Sequence, residues 1–134
     1  MANCRTESKN KIFTFKEQRS SLTLENTDQV SSIRIHVDGC EIDDDGIRCD
    51  FMLIAKEIEM YIELKGQDLT HAMEQIIRTI KILSLDIRNQ KKISYIICTR
   101  SPLASTEIQY FDRIFRKNFN SKLIIKSSPY SDKY

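Results

Sequence analysis

An α/β fold, a single-domain sandwich with a central mixed β-sheet flanked by helices, is predicted by three stretches of this sequence. Residues 50–55 and 58–64 are rich in Ile, Leu, Phe, Met and Tyr around a charged Lys56-Glu57 break, the pattern of an antiparallel hairpin. Residues 68–85 place Leu69, Ala72, Met73, Ile76, Ile77, Ile80 and Leu83 on one helical stripe. Residues 93–98 form a short apolar run after that helix, and a crossover connection of this length predicts parallel pairing.

Taken in order, Ile12–Phe15 and Ser21–Leu24 read as short strands, and Ile33–Val37 alternates cleanly into Asp38-Gly39. Residues 39–42 and 47–49 suggest a further hairpin closed by Asp43-Asp44-Asp45-Gly46, which would set Cys40 across from Cys49. Asp68 is the expected N-cap of the first helix, its side chain answering the free amides of the first turn. Thr99 to Pro102 breaks structure, and a second helix is expected from Ser105 or Thr106 to Lys117. Leu123–Ile125 reads as a last strand, and 127–134 as a flexible C-terminal tail.

Composition narrows the classes. At 134 residues the chain suits one hydrophobic core and is too short for two comfortable domains. No apolar run approaches the ~18 residues of a membrane span, and Met1–Glu7 lacks the apolar core of a secretory leader, so a cytoplasmic protein is expected. Its four cysteines form no C-x-x-C pair and are expected to be free thiols in a reducing compartment. A net charge of +2 is too small for a nucleic-acid coat protein, but its distribution is uneven. From Lys91 onward basic residues far outnumber acids, while acids gather at 38–59, an arrangement suited to a polyanionic substrate.

The chemistry-bearing residues lie on the hairpin. If its turn is centred on Lys56-Glu57, pairing partners sum to 113 and Asp50 faces Glu63, with Cβ atoms about 5 Å apart. Side chains alternate along a strand, so Phe51, Leu53, Ala55, Ile58, Met60, Ile62 and Leu64 would form the core face. Asp50, Tyr61, Glu63 and Lys65 would share the other. Two adjacent carboxylates suit Mg²⁺, which takes one or two protein carboxylates and keeps waters. Such a metal acidifies water and neutralises phosphate charge, and a nearby lysine can orient that water or stabilise developing charge.

An acid followed on the next strand by Glu63-Leu64-Lys65, with a helix directly after, resembles the PD-(D/E)xK nuclease superfamily, over roughly residues 33–98. The resemblance implies a restriction-endonuclease-like core, as in Holliday-junction resolvases. It implies a Mg²⁺-dependent nuclease, with Mn²⁺ as a substitute, cleaving nucleic acid and most readily DNA. In that reading Asp50 and Glu63 bind metal, the main-chain carbonyl of Leu64 adds a ligand, and Lys65 assists the attacking water. Gln75 matches the glutamine that some members carry on the following helix, with His71 one turn before it; Thr79 stands where their tyrosine would be. The sequence departs from the family in having Cys49 where the proline would stand, and no N-terminal helix bearing a glutamate. Glu17 and Glu25 are the available acids. A catalytically inactive relative, kept as a binding or regulatory subunit, is the alternative, and sequence recognition would come from a homodimer or a partner protein.

Overall fold

The computed structural model describes residues 3–64, 68–99 and 106–134. Two sheets and two helices make three layers. The central sheet has six strands in the order β1-β4-β5-β6-β7-β8: β1 (Arg5–Ser8), β4 (Ser32–His36), β5 (Phe51–Ala55), β6 (Ile58–Leu64), β7 (Lys92–Cys98) and β8 (Ser121–Ser127). The smaller sheet is β2-β3-β9, with β2 (Ile12–Glu17), β3 (Ser20–Glu25) and β9 (Tyr130–Lys133). Helices α1 (Leu69–Leu83) and α2 (Thr106–Phe119) connect β6 to β7 and β7 to β8, and those two pairings are parallel. The sheet is therefore mixed, antiparallel from β1 to β6 and parallel from β6 to β8.

The hairpin register is the expected one. Phe51 pairs with Ile62, Leu53 with Met60 and Ala55 with Ile58. Lys56 and Glu57 both take positive φ, 53° and 60°, as a two-residue turn that matches the twist of its strands requires. Asp68 caps α1, its carboxylate accepting the His71 amide at 3.1 Å.

Burial differs from the one-sided pattern expected of the hairpin, because both faces of the central sheet are covered. Leu53, Ala55, Met60, Ile62 and Leu64 pack with Tyr95 and Ile97 against Phe13, Phe15, Leu22 and Leu24 of the small sheet. On the opposite face Met52, Tyr61 and Ile96 pack beneath Ala72, Met73, Ile76 and Ile80 of α1 and Phe115 and Phe119 of α2. A sheet in the middle layer needs apolar side chains in both directions, so the polar face assigned to Tyr61 and Glu63 is in fact interior.

Three further expectations are corrected. The C-terminal residues are not a flexible tail: β8 runs to Ser127, and β9 pairs in parallel with β3 from Leu22↔Tyr130 to Glu25↔Lys133. The Tyr134 hydroxyl bonds Ser32 Oγ at 2.8 Å, closing the chain end onto β4. Residues 39–49 form no hairpin; only an isolated bridge, Asp38↔Ile42, appears there. Cys40 is not across from a free Cys49 but joined to Cys4 in a disulfide, which ties the entry of β1 to the loop after β4. Cys49 and Cys98 are the free, buried thiols. The aspartate-rich stretch is the turn expected of it, clamped by Arg78, whose guanidinium reaches Asp44 Oδ2 at 2.7 Å and the Ile47 carbonyl at 2.7 Å. No described helix is long and apolar enough to cross a membrane.

Candidate active site

Asp50 lies one residue before β5, where the hairpin leaves its regular register. Its amide donates to the Ile62 carbonyl at 3.1 Å, although Ile62 is already the partner of Phe51, the offset of a β-bulge. Its carbonyl accepts the amides of Val37 and Asp38 at 3.1 and 3.3 Å. Its side chain turns across the hairpin, Oδ2 accepting the Leu64 amide at 2.8 Å. A carboxylate thus takes the place that a strand carbonyl would have filled, and the last residue of β6 is held by the side chain of Asp50.

Glu63 is 7% exposed and lies close enough to Asp50 to act on its carboxyl. Two carboxylates brought close together repel unless a proton or a cation lies between them. Burial is the main cause holding the Asp50 carboxyl above its ordinary range; the Leu64 amide opposes it, and the charges of Glu17 and Asp38 add to it. Glu17, at the end of β2, is therefore brought within electrostatic reach of Asp50, whereas Glu25 sits at the far end of the neighbouring strand, opposite Ile12 and Lys133. Glu17 thus reaches this region from a hairpin of the second sheet. Asp38 had no motif to mark it; its side chain pairs with Arg48 at 2.8 Å.

Gln75 is not turned towards the carboxyl pair. Its amide nitrogen donates to the Arg48 carbonyl at 3.0 Å, bracing the segment that leads into Asp50. Thr79, where the resemblance has a tyrosine, braces the next residue: its hydroxyl accepts the Cys49 amide at 2.9 Å and donates to the Gln75 carbonyl at 2.8 Å. One face of α1 therefore fixes the backbone of 48–49 and, through it, the position of Asp50. Thr79→Val keeps the shape but leaves the buried Cys49 amide without its acceptor. It is expected to lower unfolding free energy by about 1–3 kcal/mol in urea titration. Cys49 itself is no nucleophile, since burial pushes its thiol up to about 12. His71 is exposed at the start of α1, and Lys65 lies outside the described residues.

The described residues contain no group of three or more His, Cys, Asp and Glu side chains that could hold a metal. They do offer two neighbouring carboxyls, Asp50 and Glu63, the number that Mg²⁺ commonly takes from protein. The two residues stand near the carboxyl end of β6, after which α1 follows in the chain. Comparison with known proteins found no matching family model, no matching curated protein and no matching solved structure.

Proposed function

We propose that this protein is a Mg²⁺-dependent nuclease, with Asp50 and Glu63 as the metal-binding carboxylates. The observation that carries the reading is the Asp50 carboxylate held on the Leu64 amide beside the buried Glu63 at the end of β6, immediately before Lys65 in the chain. The fold supports it: antiparallel β5 and β6 followed by α1 and a parallel β7 make the β-β-α-β portion that the nuclease resemblance calls for.

A divalent ion bound here, Mg²⁺ or Mn²⁺, would supply Lewis-acid activation of water and charge neutralisation at a phosphodiester. Asp50, held by the Leu64 amide, and Glu63 would be its carboxylate ligands. The Leu64 main-chain carbonyl is the proposed third protein ligand. Lys65 orients the attacking water, whose oxygen bonds phosphorus as the P–O bond to the leaving nucleoside oxygen breaks; that oxygen ends protonated. Gln75 acts by positioning, through the Arg48 carbonyl. DNA is the substrate proposed.

The inactive-relative reading, a nuclease fold retained as a binding or regulatory subunit, draws support from the commitment of Gln75 and Thr79 to backbone contacts. Cleavage separates the two. Supercoiled plasmid and single- and double-stranded oligonucleotides are incubated with Mg²⁺ or Mn²⁺ and the protein or its Asp50→Ala, Glu63→Ala and Lys65→Ala variants. Cleavage by the wild type that falls at least a hundredfold in each variant, roughly the upper range for disturbing a metal site, is the expected result. Absence of cleavage by a folded wild type favours the subunit; equal cleavage by the variants places the site elsewhere.

A further inference from the structure

The six-stranded sheet ends on β8, which pairs with β7 on one side and with no strand among the described residues on the other. That edge is not flat against solvent. It forms the floor of a trough of 780 Å³, walled by α2 through Gln109 and Arg113 and by β9 through Tyr130. Natural sheets protect long open edges with bulges, prolines or covering loops, and an edge left open by the described residues from Lys122 to Lys126 is a template for one more strand.

The side chains specify what that strand must carry. On the face shared with Tyr95 and Ile97, β8 presents Lys122, Ile124 and Lys126, with both lysines exposed and about 13 Å apart along the strand. The trough's acids are already engaged. Asp132 accepts the Tyr95 hydroxyl at 2.9 Å, and Asp112 pairs with Arg116 at 3.2 Å. The excess charge of the trough is thus positive, from Lys122, Lys126 and Arg113. A second copy of this chain is a poor occupant: antiparallel self-pairing with full overlap of 121–127 centres on Ile124 and sets Lys122 against Lys126 at both ends, and like charges directly opposite destabilise a sheet. A nucleic-acid strand would answer the lysines but not the outward main-chain amides and carbonyls between them.

We propose that the β8 edge binds an extended acidic segment of a partner protein, which adds as a seventh strand. Acidic residues lie opposite Lys122 and Lys126 and apolar or β-branched residues lie opposite Leu123, Ile124 and Ile125. Main-chain bonds supply affinity and the two charge pairs select the register. The site is separate from the carboxyl pair, and the proposal does not rest on nuclease activity.

The test uses a fluorescent peptide with the core Glu-Thr-Val-Thr-Glu, a second with Lys at both ends of that core, and a third with the central amide nitrogens methylated. Each is titrated by anisotropy against the full chain and its Lys122→Glu/Lys126→Glu variant, with melting curves confirming that both are folded. The acidic peptide is expected to bind the wild type and to weaken about tenfold or more on the variant, as two lost charge pairs would give. The Lys-ended peptide is expected to show the reverse preference, and the methylated peptide to bind neither. Unchanged affinity after charge reversal, or binding by the methylated peptide, overturns the proposal. So does tighter, lysine-dependent binding of a single-stranded oligothymidylate, which would make the trough a phosphate-binding surface.

Discussion

Asp50→Asn is expected to raise the thermal stability of the metal-free protein at neutral pH and, in the same molecule, to abolish metal-dependent cleavage. An amide at this position still offers an oxygen to the Leu64 amide, so the hairpin link is preserved. What is lost is a negative charge that burial penalises and that lies near the charges of Glu17 and Asp38. The pH dependence follows in sign. The folded-state pKa of Asp50 is raised above its ordinary value of 3.8, so the folded protein holds this proton more firmly than the unfolded chain. The stability linked to it is fully present below about pH 3.8 and is lost as pH rises through the raised value. The melting-temperature advantage of Asp50→Asn over wild type is therefore expected to be large near pH 7 and to shrink towards pH 4. Millimolar Mg²⁺ should narrow the gap at pH 7 by stabilising only the wild type. A variant less stable than wild type at pH 7 would mean that the ionised carboxylate serves the fold.

Lys92→Met is expected to cost about 3–5 kcal/mol, the range for breaking a buried charge network by removing one member. Lys92 is 1% exposed, and its ammonium donates to the carbonyls of Asp86, Ile87, Gln90 and Phe119 at 3.0, 2.9, 2.8 and 2.8 Å. It thereby gathers the turn after α1 and the end of α2 at the start of β7. Methionine fills the space of the stem but leaves these acceptors inside with no donor. It also removes a positive charge near Glu59, whose carboxylate is buried among the Tyr61 hydroxyl, the Ser84 hydroxyl and the Leu85 amide. Burial lowers the pKa of Lys92 while Glu59 and Asp86 hold it up, as expected for a desolvated but compensated ammonium. If the account is right, Glu59→Gln combined with Lys92→Met costs less than the sum of the two single changes, measured by urea unfolding. Additive losses would show that the two groups act independently.

How far the sequence reveals this molecule depends on how local each cause is. The hairpin of β5 and β6, its turn at Lys56-Glu57 and its register follow from two-residue periodicity and a charged break, and all three stand in the structure. The cap at Asp68, the stripe of α1 and the parallel return of β7 are equally local or follow from crossover geometry. Strands β1 and β9 escape such reading because Arg-Thr-Glu-Ser and Tyr-Ser-Asp-Lys bury little and are held by main-chain pairing to distant strands. Lys92 reads as a surface residue because lysine almost always is one. The Cys4–Cys40 link depends on β1 docking beside β4, which no cysteine spacing encodes.

At the candidate site the hairpin that carries Asp50 and Glu63 was legible, whereas the slip that takes Asp50 out of the register, its amide on the Ile62 carbonyl, is not encoded in alternation. The covering of their face by α1, and the approach of Glu17 from another sheet, are consequences of layer packing that alternation cannot report. Gln75 was legible as a polar residue beside the apolar stripe of α1, but its partner, the Arg48 carbonyl, lies in a segment without regular structure.

The most direct test of the central claim is calorimetric titration of Mn²⁺ and Mg²⁺ into the wild type, Asp50→Asn and Glu63→Gln at pH 7, with melting curves on the same samples. The account predicts saturable binding of both ions by the wild type and its loss, by at least a hundredfold in affinity, in each folded variant. Binding that is unchanged in the variants, or a folded wild type that binds neither ion, would contradict it.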